Sequence, residues 1–287
     1  MTMKFLIVLS LACITSFSFG QLNLPAASPD QEIRQQVGFT DVQIKYSRPS
    51  ARGRKIFGDL VPFDQLWRTG AHDATTIWFS DSVRINGMNI PSDTFSLFTI
   101  PGKTEWTIIL NKVHAMHGAS DYAEANDQLR FTVKAEKSPR FYETFTIDIN
   151  DFTNDGAFIS LLWENTLVKF SIQTYADQKV MKEIADKING KTDVKPGLFY
   201  QGSLYYFNNN KDINQAYEWV KVANSKSQEA AWLQLQAKIE ARQGRHAEAL
   251  ITLSKSTELA RIKKLEPVIK ANEALVTEWN STKKPKK

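Results

Sequence analysis

The sequence predicts an α+β chain in which an antiparallel β-sandwich or β-barrel comes first and an all-α region of helical hairpins follows. Two observations predict this division. From about residue 28 to 174, apolar and polar side chains alternate with period two, and turn residues interrupt the pattern, which is typical of an all-β sandwich or barrel. After Tyr175 the apolar period becomes that of an α-helix, about 3.6 residues.

The composition favours globular domains and excludes several other classes of protein. Of the 287 residues, 42% are hydrophobic and 23% are charged, which argues against a disordered, collagenous or coiled-coil chain. Cys13 is the single cysteine, so intrachain disulfides and cysteine-based metal sites are excluded. Without Lys4 and the four lysines of residues 283–287, basic and acidic residues number 31 each, so we expect no nucleic-acid partner.

Residues 1–20 are typical of a secretory signal peptide. Lys4 gives a positive start, residues 5–14 are mostly apolar, and small residues precede a cleavage site after Gly20. The apolar stretch is shorter than the ~20 residues that a membrane span needs. We therefore expect an exported chain, periplasmic or extracellular, without a transmembrane segment. Lipidation at Cys13 is the alternative.

The β domain is predicted over residues 28–174. Asn86-Gly87 lies between two short apolar runs and predicts a hairpin, because both central positions of a type I′ turn need positive φ. A nearly continuous apolar run predicts a central strand at 158–163. Alternation predicts half-buried strands at 42–46, 131–133, 145–147 and 168–172.

A helical connector is predicted over residues 175–195. Val180, Ile184 and Ile188 are spaced so that they share one face of a helix. At the other end of the chain, the basic residues 281–287 are predicted to be a disordered tail.

Helical repeats are predicted over residues 196–280. Two segments align with an offset of 33 residues, which pairs Ala216 with Ala249 and Val220 with Leu253. The offset is close to the 34-residue period of tetratricopeptide repeats, in which stacked helical hairpins share a core. The region resembles that family, and the resemblance implies a binding surface for a protein partner.

An arginine-rich run at residues 46–76, called the arginine loop below, departs from the strand pattern. Long irregular loops in compact β domains tend to be functional. Arginines can hold a carboxylate, phosphate or sulfate group, and Trp67 could stack on a sugar ring. The alternative is a latch, in which Trp67 is buried and the arginines bond to backbone carbonyls and to acids such as Asp59, Asp64 and Asp73. The candidate ligand-binding residues are Arg48, Arg54, Trp67, Arg68, Thr69, His72 and Asp73.

Histidines supply the only other candidate chemistry. His114 and His117 are three residues apart in a glycine-containing stretch, and a pair of this kind without a third ligand is a weak metal candidate. His72 and Asp73 would have to converge with them for metal-dependent hydrolysis. No catalytic residues are assigned, and no cofactor is expected.

Several short motifs occur in the same order as in a known family. They are Tyr46-Ser47-Arg48-Pro49, Gly53-Arg54, Trp67-Arg68-Thr69-Gly70-Ala71, Ala74-Thr75-Thr76, the run 95–101, the run 106–111, and Trp163-Glu164. Through these motifs residues 28–173 resemble the DUF2911 family of bacterial proteins, some of which carry a signal peptide and a helical-repeat tail. The resemblance implies the fold and the compartment but no reaction. Family members more often have Asn-Glu where this chain has His72-Asp73, which argues against a fixed ligand at His72.

Three functions therefore remain open. The first is an exported binding module that uses the arginine loop for an anionic or carbohydrate ligand and the repeats for a protein partner. The second is a structural envelope protein in which the loop is a latch. The third is a metal-dependent hydrolase that uses His72, Asp73, His114 and His117.

Overall fold

The computed structural model describes residues 24–281, which divide after Tyr175 into two compact units. The predicted signal peptide, its cleavage site after Gly20, and Cys13 lie outside the described residues, as do residues 282–287 of the predicted tail. Ser281, the first residue of that predicted tail, is still helical. Among residues 24–281, no helix combines the length and the hydropathy that crossing a bilayer requires.

Among the described residues, the first unit contains an antiparallel sheet of nine strands, which confirms the predicted fold class. The strands are β1 (Asp30–Val37), β2 (Thr40–Ser47), β3 (Thr76–Phe79), β4 (Val83–Ile85), β5 (Met88–Ile90), β6 (Thr94–Pro101), β7 (Glu105–Asn111), β8 (Asp127–Asn150) and β9 (Gly156–Gln173). Their order in the sheet is β1-β2-β3-β6-β7-β8-β9-β4-β5.

The predicted hairpin at Asn86-Gly87 joins β4 to β5. Asn86 has φ of 47° and Gly87 has φ of 78°, as the predicted turn requires. The predicted strands at 131–133 and 145–147 are not separate, because both belong to β8. β8 and β9 pair along most of their length, with irregular register between Lys137 and Thr146.

One core occupies the inner face of the sheet. Val42 and Ile44 near one edge of the sheet belong to the same buried cluster as Val83 and Ile85 near the other edge. The sheet must therefore curl so that its two ends face each other across the core.

Five aromatic rings form the centre of this core. Phe57 and Trp67 come from the arginine loop, and Trp106, Phe145 and Trp163 come from β7, β8 and β9. The indole rings of Trp67 and Trp163 stack with centroids 5.8 Å apart, and Trp67 meets Phe145 edge-on at 5.1 Å. The loop thus completes the core instead of lying over it.

The second unit consists of six helices within the described residues. The helices are α1 (Ala176–Lys187), α2 (Pro196–Asn208), α3 (Ile213–Lys226), α4 (Ala230–Arg242), α5 (His246–Ile262) and α6 (Glu266–Ser281). Each helix from α2 to α5 packs against the next one, and α4 also contacts α2 and α6. Ala216 and Ala249, which the 33-residue offset pairs, are both fully buried, in α3 and α5.

The predicted connector helix corresponds to α1, which belongs to the second unit. Ile184 and Ile188 pack with Val194 and with Trp219 of α3 in one buried cluster. The apolar stripe that predicted the connector is therefore the surface that α1 buries against its own unit.

Removing one ring should show how far the first unit depends on the aromatic cluster. Phe145 is fully buried and contacts the rings of Tyr46, Trp67 and Trp163. Phe145→Ala should lower the free energy of unfolding by about 3–5 kcal/mol, measured by urea denaturation of the full chain. Phe141→Ala on the same strand is the control, because its side chain is exposed and should change stability by less than about 0.5 kcal/mol.

Candidate functional site

The arginine loop is bonded to three strands of the sheet. Its irregular part covers residues 48–75, between β2 and β3. The amide of Ala51 donates to the carbonyl of Glu143 in β8 at 2.7 Å. The amide of Ile56 donates to the Glu164 carboxylate of β9 at 3.2 Å. Further along, Trp67 exchanges two backbone hydrogen bonds with Thr99 of β6, at 2.8 and 2.9 Å.

Trp67 anchors the loop and presents no free face to a ligand. Its side chain is 8% exposed, and four rings surround it in the core. Its indole N–H donates to the carbonyl of Gly70 at 3.1 Å, so its one polar atom is also satisfied. The structure therefore favours the anchoring role over stacking on a sugar.

Arg48 and Arg52 fasten the start of the loop. Arg48 donates to the carbonyl of Phe145 at 3.1 Å and to the hydroxyl of Thr146 at 2.8 Å. Arg52 donates to the carbonyl of Ala27 at 2.8 Å. Both guanidinium groups therefore act as ties between chain segments, which is the arrangement that the latch alternative predicts.

Arg54 and Arg68 differ from Arg48 and Arg52, because both of them line one cavity. This cavity, called the arginine cavity below, has a volume of about 430 Å³. Trp67 and Trp163 contribute to its wall. The remaining lining residues include Leu60, Pro62, Gln65, Leu66 and Gly70. The structure thus brings three of the predicted site residues, Arg54, Trp67 and Arg68, together around one space.

The two guanidinium groups are held by carbonyl oxygens. Arg54 donates to the carbonyls of Ala51 and Ser50 at 3.0 and 2.8 Å. Arg68 donates to the carbonyl of His72 at 2.8 Å. Among the described residues, neither arginine lies within ion-pair distance of a carboxylate. The acids of the latch alternative, Asp59, Asp64 and Asp73, therefore do not neutralise them.

Thr69 has a structural role in the loop. It is fully buried and has φ of 56°, which is unusual for a β-branched residue. Its hydroxyl donates to the carbonyl of Trp67 and bonds to the hydroxyl of Thr99, while its own carbonyl accepts from Thr75 at 2.6 Å. These bonds hold the sharp turn between Trp67 and Gly70, so Thr69 supports the cavity without lining it.

The histidines line a second cavity on the outer face of the sheet. This cavity, called the histidine cleft below, has a volume of about 770 Å³. His72, Asp73, His114 and His117, the residues of the hydrolase alternative, all line it. Further lining residues come from the first two strands and include Asp30, Glu32, Lys45, Tyr46 and Ser47.

One pair in the histidine cleft is in direct contact. The His117 Nδ1 atom lies 2.7 Å from an Asp73 carboxylate oxygen, and both side chains are about 80% exposed. A backbone bridge between the same two residues holds them side by side. Within the described part of the chain, no three histidine, cysteine, aspartate or glutamate side chains come together as a metal site requires. The hydrolase alternative therefore rests on this pair alone.

A polar cluster fixes the segment that carries His114 and His117. Tyr122 donates to the Asp127 carboxylate at 2.7 Å, and Arg130 donates to the Tyr122 hydroxyl at 2.6 Å. Burial, together with the Asp127 carboxylate, raises the pKa of Tyr122 to about 12. The tyrosine thus remains a neutral donor, and its bonds tie the chain at residue 122 to β8.

Sequence reasoning missed the residues that the first two strands give to the histidine cleft. Glu32 and Lys45 face each other on the outer side of β1 and β2. The alternation along β2 already placed Lys45 opposite the core, but no sequence signal paired this face with the histidine segment. That pairing is made by contacts between distant parts of the chain.

The family comparison agrees with the first unit. The family model described as "Protein of unknown function (DUF2911)" matches residues 28–172, half of the chain. No curated protein and no solved structure matches the chain.

The contribution of the Arg48 hydrogen bonds to stability can be measured. Arg48→Ala leaves the Phe145 carbonyl and the Thr146 hydroxyl without this donor, so the free energy of unfolding should fall by about 1–3 kcal/mol in urea denaturation. Arg52→Ala is the control, because the Arg52 bond is exposed and should be worth less than about 0.5 kcal/mol. Equal losses in the two variants would contradict the account.

The raised pKa of Tyr122 should make the stability of the chain depend on pH. An unfolded tyrosine has a pKa of about 10, so the unfolded chain loses this proton first as the pH rises. The contribution of protonated Tyr122 to the free energy of unfolding is therefore present below pH 10 and is lost between about pH 10 and pH 12. In urea denaturation over this range, Tyr122→Phe should remove part of the decrease.

Tyr142→Phe is the control for this measurement, since Tyr142 forms no hydrogen bond to a carboxylate among the described residues. An identical decrease in the unmutated chain and in Tyr122→Phe would contradict the role of Tyr122.

Proposed function

The chain belongs to the DUF2911 family, whose function is unknown, and we propose that it is an exported binding module that holds a small anionic ligand in the arginine cavity. The observation that carries the proposal is that Arg54 and Arg68 line one cavity and that neither has a carboxylate partner among the described residues. Carbonyl oxygens fix the direction of these groups but leave their positive charge for a ligand.

The walls of the arginine cavity indicate what the rest of the ligand would contact. Leu60, Pro62 and Leu66 are apolar, and Trp163 also lines the cavity. Gln65 offers both a donor and an acceptor. A carboxylate or phosphate ester with an apolar group attached suits this combination better than a bare inorganic ion does.

The latch is a second function of the same loop, and Arg48, Arg52 and Trp67 support it. The two functions use different arginines, so they are compatible in one molecule. A purely structural envelope protein would need only Arg48, Arg52 and Trp67. The positive charges of Arg54 and Arg68 would then serve only their hydrogen bonds to carbonyl oxygens.

The export of the chain and the role of its helices belong to the same proposal. The signal-like residues 1–20 support a periplasmic or extracellular location. The stacking of consecutive helices from α2 to α6 supports a tetratricopeptide-like scaffold that binds a protein partner. In this arrangement the first unit would bind the small ligand and the second unit would bind the protein.

Titration calorimetry with phosphate, sulfate and benzoate at constant ionic strength tests the arginine cavity. The unmutated chain should bind at least one of these anions. Arg54→Ala and Arg68→Ala should each weaken binding by about tenfold or more, because each removes charged hydrogen bonds. Arg52→Ala removes one positive charge from the same loop outside the cavity and should leave the affinity within about twofold.

Thermal unfolding of each variant separates the binding module from the structural protein. Loss of anion binding with an unchanged melting temperature supports the proposal. If none of the three anions binds, or if Arg52→Ala weakens binding as much as Arg54→Ala does, the proposal is wrong. If Arg54→Ala and Arg68→Ala lower the melting temperature without weakening anion binding, these two arginines serve the latch and the proposal is wrong.

A further inference from the structure

Trp78 is an aromatic side chain on the outer face of the sheet. Its neighbours Ile77 and Phe79 are fully buried in the core, so the alternation of β3 directs Trp78 to the opposite side. Its side chain is 36% exposed. Among the described residues, no aromatic ring or cation packs on its indole. The ring therefore offers surface to a ligand.

Polar side chains flank Trp78 in the same row of the sheet. The register places Arg34 opposite Gln43, Gln43 opposite Trp78, and Trp78 opposite Thr94. These four residues line a cavity of about 570 Å³, called the tryptophan groove below. The other lining residues are Gln35, Gln36, Asp41 and Val42.

The chemistry of the tryptophan groove selects against several ligands. Arg34 and Asp41 carry opposite charges, so the groove does not favour a polyanion such as nucleic acid. Apart from Trp78, Val42 is its only apolar lining residue among those described, which is too little for an apolar peptide or a lipid. Glutamine, threonine, arginine and aspartate side chains together provide donors and acceptors for many hydroxyl groups.

The tryptophan groove and the histidine cleft lie next to each other on one face. Glu32, Lys45 and Thr76 line the cleft and form the adjacent row on β1, β2 and β3, about 7 Å along the strands from the row of Trp78. Glu32 also accepts hydrogen bonds from Arg34, at 2.8 Å, and from Gln43.

These hydrogen bonds, together with the charges of Lys45 and Arg34, lower the pKa of Glu32. Its carboxylate therefore stays ionised at neutral pH and remains an acceptor between the two cavities. A ligand that lies parallel to the strands can contact both the tryptophan groove and the histidine cleft.

We propose that an uncharged linear oligosaccharide binds along the outer face of β1, β2 and β3, with one sugar ring stacked on Trp78. The C–H face of a sugar ring packs on the indole, and its hydroxyl groups both donate and accept hydrogen bonds. Arg34 and Gln43 bond to hydroxyls beside the stacked ring. The oligosaccharide extends past Glu32 and Lys45 into the histidine cleft. This site is separate from the arginine cavity and does not depend on it.

The test uses hexasaccharides of β-1,4-glucose, β-1,3-glucose, α-1,4-glucose, β-1,4-xylose and β-1,4-N-acetylglucosamine in titration calorimetry with the full chain. At least one of them should bind. Trp78→Ala should weaken that binding by at least about tenfold, because a stacked aromatic ring is typical of residues that dominate binding. Trp78→Phe keeps an aromatic face and should restore most of the affinity.

Two control variants make the result specific. Phe152→Ala removes an exposed aromatic ring of the same unit that lies outside both cavities, and it should bind as the unmutated chain does. Arg54→Ala in the arginine cavity should also leave sugar binding unchanged. If none of the five hexasaccharides binds, or if Trp78→Ala binds as tightly as the unmutated chain, the proposal is wrong. Binding of anionic polysaccharides in preference to these neutral ones would also overturn it.

Discussion

The burial of Trp67 among the rings of three strands is the interaction on which the first unit depends. Because Phe57 and Trp67 both belong to the arginine loop, the loop supplies two of the five rings at the centre of the core. Each large aromatic side chain buries about 150–250 Å² of surface. A core of this kind cannot close until the loop is in place, so the loop is as much part of the fold as the strands are.

Anchoring of the loop determines where the charges of the arginine cavity lie. The backbone bridge between Trp67 and Thr99 fixes the residues on either side of Trp67, and the carbonyl bonds of Arg54 and Arg68 then direct the two guanidinium groups. Carboxylate partners would have fixed them equally well while neutralising them. Carbonyl partners leave the two arginines positive, so the proposed anion site is compatible with the anchoring of the same loop.

The sequence was a good guide to local structure, because local structure follows from periodicity and turn chemistry. Alternation located β2, and Asn86-Gly87 located the β4–β5 hairpin. The length of β8 was missed, since irregular register around Tyr142 interrupts the alternation although pairing with β9 continues. The 3.6-residue period likewise placed α1, because its apolar stripe is real and buried.

The candidate sites were predicted only in part, because their geometry comes from contacts between distant residues. Composition singled out Arg54 and Arg68, but only the structure distinguishes them from Arg48, which ties the loop to β8. His72 and His117 lie in one cleft because a backbone bridge joins segments that are far apart in the sequence. The alternation of β3 placed Trp78 outside the core, yet its polar neighbours come from other strands.

Native-state hydrogen exchange of the full chain tests most directly whether the arginine loop is part of the core. The amides of Ala51 and Trp67 donate to strand carbonyls in β8 and β6. If the loop belongs to the core, these amides should exchange within about tenfold of the rate of Ile109 in the central strand β7, because they open only with the whole unit. Exchange as fast as that of Lys103, in the exposed turn between β6 and β7, would contradict this account.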